Sequence, residues 1–249
     1  RKIADKIYEK KIINLSNLIF VPSRGVKDKL KTLHNKKIEI IPNGYFPIME
    51  TNFKKKEKKN YLEIVYTGKL YEGKQKVDAF LAALKCIKEK NNFIYKGLRV
   101  NFYGEFSFFL DKKIKKLGLN EIVFQKGKRK RHEILNIQQN TDILILFNWN
   151  EFEKGIFPLK LYEYLFSKNL ILTIGKDHSG EINNILFKTK MGYNLIDKNQ
   201  IYKKIVYLYN QFNMNNSISP KGIIKEIEKF TYEYNVPKLE KCFMNILNK

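Results

Sequence analysis

Thr141-Asp142-Ile143-Leu144-Ile145-Leu146-Phe147, then Gly155-Ile156-Phe157-Pro158-Leu159-Lys160-Leu161-Tyr162-Glu163-Tyr164-Leu165, then Asn169-Leu170-Ile171-Leu172-Thr173-Ile174, follow one another closely. The first and third are dominated by short apolar runs, the pattern of strands buried on both faces. The second opens with Gly and Pro and continues with apolar residues at helical spacing. Strand, loop, helix, strand is a βαβ unit, and its loop lies at the carboxyl end of a strand. Open α/β sheets bind ligands at that edge. The helix start offers free N–H groups and the positive end of a dipole, which attract phosphate. Lys160 and Glu163 are three residues apart and project from one side of the first turn. One reading makes them a grip on a nucleotide, the lysine for a diphosphate and the carboxylate for a sugar's hydroxyl pair. The other makes them a solvated ion pair, with Leu161, Tyr164 and Leu165 facing the core. The segment alone leaves both open.

The same alternation extends outward. Ile3 to Leu15 reads as a basic amphipathic helix, and Asn17–Val21 as a strand followed by Ser23, a cap for a helix over Val26–Leu33. Lys37–Ile41 reads as a strand closed by Pro42-Asn43-Gly44. Periodicity then lapses until Asn60, across the run Lys54-Lys55-Lys56-Glu57-Lys58-Lys59, the best domain boundary in the chain. A second series follows, with strands at Tyr61–Thr67, Leu98–Tyr103 and Ile122–Phe124 before the opening unit. Its helices are expected at Val77–Asn91, Phe108–Leu117 (stopped by Gly118) and His132–Gln139. A helix at Glu181–Phe187, a short segment at Gly192–Leu195 and helices at Gln200–Phe212, Lys221–Phe230 and Val236–Leu247 complete it. Strands separated by helices with short connections predict an α/β fold with a doubly wound, parallel, Rossmann-like sheet.

Composition narrows the function. Forty-three per cent hydrophobic and 14% aromatic residues suffice for a packed core. No uninterrupted apolar run is long enough to span a membrane. The first residue is Arg, so the chain is expected to be a fragment. Cys86 and Cys242 stand far apart and outside metal-ligand spacing, as reduced thiols in a cytoplasmic protein would. The formal charge of +23 invites an anionic partner: nucleic acid, an acidic membrane surface or a phosphorylated substrate. It fits equally a lysine-rich coding bias, with much of the excess in solvated runs. No RNA-binding aromatic pattern, zinc-finger spacing or helix-turn-helix accompanies it, so no nucleic-acid partner is expected.

Gly68-Lys69-Leu70-Tyr71-Glu72-Gly73-Lys74 is the second chemical feature. It leaves a strand, and its glycines let backbone approach a phosphate. Lys69 and Lys74 would neutralise a diphosphate. It has neither the Walker A nor the GxGxxG spacing. Its weight comes from lying on the same sheet edge as the loop at Gly155.

In order along the chain, these segments and others resemble the group 1, or GT4-type, branch of GT-B glycosyltransferases, which includes builders of bacterial surface polysaccharide. The segments are Ile41-Pro42-Asn43-Gly44, Gly68-Lys69 with Lys74, Phe102-Tyr103-Gly104, Phe124-Gln125-Lys126-Gly127, Thr141–Ile145 and Pro158–Leu165. The resemblance runs from about Asn17 to the end. It implies two Rossmann-like domains, of which this chain holds the donor-binding half. Residues 1–45 would be a remnant of the amino-terminal acceptor domain and 46–60 a linker. Residues 61–230 would be the nucleotide-sugar domain, and 231–249 a helix crossing back. It further implies that Gly68, Lys69 and Lys74 hold the donor diphosphate and that Glu163 bonds the ribose hydroxyls. Phe157, Pro158, Lys160 and Leu161 would lie beside the diphosphate and the transferred sugar.

There are departures. Many retaining members carry a Glu eight residues before the second one, where this chain has Gly155; Glu151 and Glu153 are out of register. Lys69 replaces the usual Arg and loses its bidentate geometry. The family's acceptor-side His and Gly-rich loop have no counterpart here, so no catalytic base is named. Asp177-His178-Ser179 invites a triad, but consecutive side chains diverge. His34 and His132 lack partners at metal spacing. Glu105 is a further candidate contact. The expectation is a cytoplasmic transferase using a UDP- or GDP-sugar, without metal, on a glycan or lipid-linked acceptor, in peripheral contact with an anionic membrane. The alternatives are a non-catalytic nucleotide-sugar-binding module and a basic nucleic-acid-binding protein.

Overall fold

The computed structural model describes residues 2–45, 59–75, 77–149 and 158–248. The amino-terminal piece is helix α1 (Lys2–Leu15), strand β1 (Ile19–Val21), helix α2 (Arg24–Lys31) and strand β2 (Ile38–Ile40). The two strands pair in parallel, Ile19 opposite Ile38. Ser23 caps α2, its hydroxyl accepting the Val26 N–H at 3.3 Å.

The main sheet contains β3 (Leu62–Thr67), β4 (Leu98–Tyr103), β5 (Val123–Gly127), β6 (Ile143–Phe147), β7 (Leu170–Ile174) and β8 (Gly192–Leu195). All neighbours are parallel, in the order β5-β4-β3-β6-β7-β8. Its helices are α3 (Asp78–Lys90), α4 (Asn92–Lys96), α5 (Phe108–Leu117), α6 (Arg131–Asn140), α7 (Lys160–Phe166), α8 (Glu181–Thr189), α9 (Lys198–Asn215), α10 (Ile224–Glu228) and α11 (Tyr232–Leu247). Every residue of β3, β6 and β7 is buried, the signature of a sheet covered on both faces. Alternation sends Ile64 and Ile143 into one core with Phe80 and Leu84, and Val65 and Leu144 into a second with Leu161 and Tyr164.

The topology places the site. From β3 the chain steps outward to β4 and β5, then returns to β6 on the other side of β3. That reversal opens a crevice at the carboxyl ends of β3 and β6.

Several elements depart from the sequence reading. Helix α3 ends at Lys90 and α4 restarts at once, because the Asn91 side chain accepts the Ile94 N–H at 3.1 Å. The expected helix over Lys221–Phe230 shortens to α10, since Ile223 is extended and donates its N–H to the Thr189 carbonyl at 2.9 Å. Helix α11 begins four residues before Val236: Thr231 caps it, accepting from Tyr234 N–H at 3.1 Å, and Pro237 is carried inside. The short segment at Gly192–Leu195 proves to be the edge strand beside β7.

The amino-terminal piece touches the larger one at several points. Tyr45 N–H donates to the Phe230 carbonyl at 2.9 Å, and its ring stacks on Phe166 at 4.8 Å. Phe243 of α11 meets Phe20 of β1 at 5.5 Å. The Arg24 N–H donates to the Glu181 carboxylate at 3.0 Å. Residues 46–58, most of the expected linker, lie outside the described residues. Among the described residues, no helix is long and apolar enough to cross a membrane.

Candidate functional site

At the carboxyl ends of β3, β4 and β5 lies a cleft of about 270 Å³, with Gly68 and Gly104 in its floor and Lys160 and Glu163 in its wall. Its shape depends on the two glycines. Gly68 has φ +118 and Gly104 φ +153, in the region that side chains resist. A Cβ on Gly104 would overlap the Gly68 carbonyl, and one on Gly68 would overlap the end of the Lys160 side chain. The first two loops of the sheet thus pass each other backbone to backbone, and Lys160 lies directly over the first.

Helix α7 delivers Lys160 because Leu161, Tyr164 and Leu165 turn into the core and leave the opposite side to the cleft. The Lys160 ammonium donates to the Tyr66 hydroxyl at 3.1 Å and sits 4.6 Å from that ring's centre. Tyr66 in turn donates to the Lys69 carbonyl at 2.9 Å, so the helix, the strand and the loop are tied in series. Burial holds the Lys160 amine down at about 8, with the nearby Glu163 carboxylate opposing the shift. An amine in that condition gains by meeting an anion. Burial likewise raises Tyr66 and Tyr103.

Glu163 is held from two sides. Arg131 donates to one carboxylate oxygen at 2.6 Å, and the Gln138 amide lies 3.3 Å from the other. Gln138 also donates to the Thr67 hydroxyl at 2.9 Å, and the Tyr164 hydroxyl accepts the Thr67 N–H at 3.1 Å. The carboxylate is therefore fixed at the rim with its charge partly met by an exposed guanidinium. Lys128 and Arg129 line the same cleft.

Of the residues singled out from the sequence, Gly68, Lys160 and Glu163 line one cleft. The structure sets Lys69 and Lys74 on an adjoining hollow instead. Lys69 pairs with Glu105 at 2.9 Å, and Lys74 lies 5.2 Å from the centre of the Trp149 ring. Leu161 needs correcting as a lining residue: its side chain is fully buried and its N–H already donates to the Pro158 carbonyl at 2.9 Å. Pro158 stands half-exposed just before α7. Phe157, Gly155, Glu151 and Glu153 lie outside the described residues. The Asp177 carboxylate accepts from the Asn183 N–H at 2.8 Å and the Ser179 hydroxyl at 3.3 Å, which makes that loop the start of α8 rather than a triad.

The sequence reading overlooked Lys128, Arg129 and Arg131. Their signal is the basic run Lys126-Gly127-Lys128-Arg129-Lys130-Arg131, which begins in the last two residues of β5 and continues at the same sheet edge as the other loops.

No protein-family model matches the chain, and no curated protein matches its sequence. Solved structures match its fold over nearly its whole length. One is a point mutant of S. aureus TarM in complex with fondaparinux, α-GlcNAc-glycerol and UDP: 18% identity, 97% of this chain, 46% of that one, TM-score 0.66. Another is the pneumococcal O-GlcNAc transferase GtfA with UDP and GlcNAc: 15% identity, 97% and 48% coverage, TM-score 0.65. Anabaena HepE with UDP-glucose gives 12% identity, 95% and 67% coverage, and TM-score 0.67. This chain spans about half the length of TarM and GtfA. At such identities the likeness shows the fold, and the fold is that of the GT-B glycosyltransferases, with their Rossmann-like parallel sheet.

Proposed function

We propose that this chain is the donor-binding part of a nucleotide-sugar-dependent glycosyltransferase of the GT4 type. The observation that carries the reading is the convergence, at the carboxyl edge of the sheet, of a side-chain-free floor, a desolvated ammonium and a fixed carboxylate. Gly68 and Gly104 let a diphosphate approach the backbone. Lys160 supplies countercharge from above, and Glu163 accepts hydrogen bonds from a ribose diol. Lys128, Arg129 and Arg131 add positive potential on the nucleotide side, Lys69 and Lys74 on the side where the sugar leaves. When the bond from sugar to diphosphate breaks, negative charge grows on the departing oxygen, and cations already in position lower that barrier without reorganising. The UDP bound to the structural neighbours supports UDP as the nucleotide, with GDP the competing choice. The acceptor in this reading is a glycan or lipid-linked glycan of a surface polysaccharide, held near an anionic membrane at the cytoplasmic face by the net charge of +23.

Titration calorimetry with UDP, GDP, UDP-glucose and GDP-mannose, beside a DNA duplex at two salt concentrations, tests it. A nucleoside diphosphate should bind in the micromolar range, weaken at least tenfold in Lys160→Ala and Glu163→Ala, and weaken less in Lys69→Ala. Salt-steep binding of DNA with no response to any nucleotide would refute it.

A further inference from the structure

The hollow beside the donor cleft has its own chemistry. It measures about 330 Å³, at the small end of the range for ligand pockets. Aromatic rings dominate its rim, and they are unusually exposed for their size. Phe108 is 82% exposed, Phe106 55% and Tyr71 43%. Phe106 and Phe108 brace each other edge to face at 5.1 Å, and Tyr71 rests against Trp149 at 5.3 Å. The rings are therefore held in place by one another rather than by burial.

A charged cluster lies between them. Glu105 accepts from Lys69 at 2.9 Å with one oxygen and from Lys128 at 3.0 Å with the other. These two ammonium groups hold its carboxyl below the usual carboxylate range. A carboxylate held between two cations offers hydrogen-bond acceptors and donors side by side, the complement of a sugar's hydroxyls. Apolar ring faces around such a cluster fit a pyranose, whose axial C–H face stacks on an aromatic ring while its equatorial hydroxyls point outward. A phosphate fits less well, because Glu105 would face it. An acyl chain fits less well too, because it would desolvate three charges.

The same loops build both cavities. Gly68 floors the donor cleft and Lys69 the hollow; Gly104 and Glu105 divide in the same way. We propose that the hollow formed by Tyr71, Phe106, Phe108, Lys69 and Glu105 is a saccharide subsite that receives the acceptor glycan alongside the donor. Its role as acceptor subsite rests on the donor reading above; its capacity to bind a sugar does not.

Saturation-transfer NMR with the methyl glycosides of glucose, galactose and N-acetylglucosamine tests the proposal. At least one should bind in the millimolar range and remain bound when UDP is saturating. Phe108→Ala and Tyr71→Ala should each weaken it about fivefold or more, the loss of one stacking contact. Phe108 is so exposed that its removal leaves the fold intact, which the melting temperature checks. Both variants should keep the wild-type affinity for UDP. Three outcomes overturn the proposal: no glycoside binds; UDP displaces the glycoside competitively, which makes the hollow part of the nucleotide site; or Phe108→Ala changes only co-sedimentation with phosphatidylglycerol vesicles, which makes the rings a membrane contact. Failure of UDP to bind wild-type protein, with glycoside binding intact, would sink the donor reading and leave the subsite standing.

Discussion

Replacing Lys160 with Met separates the cost of a buried cation from its use. The amine is held at about 8 against an ordinary 10.5. At ~1.36 kcal/mol per pH unit, that difference is about 3 kcal/mol of unfavourable ionisation in the folded chain. The unfolded chain binds the proton up to about pH 10.5, the folded one only up to about pH 8. Between those values the unfolded state holds more protons, so this residue makes stability rise with pH. Below pH 8 both states are protonated and the whole penalty is present. Methionine has a similar length and no charge, and forfeits only a hydrogen bond to Tyr66 and a cation–ring contact, each worth about 1 kcal/mol. Urea unfolding from pH 7 to 10 should therefore show Lys160→Met equal to or up to about 2 kcal/mol more stable than wild type at pH 7. That advantage should reverse toward pH 10 as the wild type recovers about 2–3 kcal/mol. The same amine should take up a proton when a diphosphate arrives. Calorimetry of UDP at pH 8.5 in two buffers of different ionisation heat should show proton uptake in wild type and none in Lys160→Met. Parallel stability profiles for the two proteins would refute the desolvated amine. Equal UDP affinity without proton uptake would refute its contact with phosphate.

Other variants probe the remaining parts. Glu163→Gln gives up a pair with Arg131, whose side chain is 59% exposed, so stability should fall by less than about 1 kcal/mol; UDP affinity should drop about tenfold in calorimetry, with deoxyuridine diphosphates less affected. Gly104→Ala forces a Cβ against the Gly68 carbonyl at a strained φ, and urea unfolding should show a loss of at least about 3 kcal/mol. Asp177→Ala frees the Asn183 N–H at the start of α8; it should cost about 1 kcal/mol in thermal unfolding and leave nucleotide affinity unchanged, whereas a triad member would abolish turnover.

Much of the architecture was legible because buried parallel strands write themselves as short apolar runs. Leu62–Thr67, Ile143–Phe147 and Leu170–Ile174 are buried along their whole length, and Glu63 is the one charged residue among them. Capping chemistry is equally local: Ser23 before α2 and Gly118 after α5 act on backbone a few residues away. The short helix at Asn92–Lys96 carries no such signal, because five residues are too few to show a helical period. Helix α11 starts at Tyr232, before the expected Val236, with Thr231 as its cap.

Sequence alone placed Gly68, Lys160 and Glu163 at the carboxyl edge of one sheet, since in parallel βαβ units every strand-to-helix loop lies on that edge; the strand order itself came from the tertiary structure. Sequence did not determine which cations share a cavity. Lys69 follows Gly68 directly, yet its side chain turns to Glu105, while Lys160 comes from far along the chain to cover Gly68. Neighbouring residues leave a strand on opposite sides, and only packing selects what each meets. The guanidinium on Glu163, the buried state of Lys160 and the ring-lined hollow around Glu105 are all such tertiary decisions.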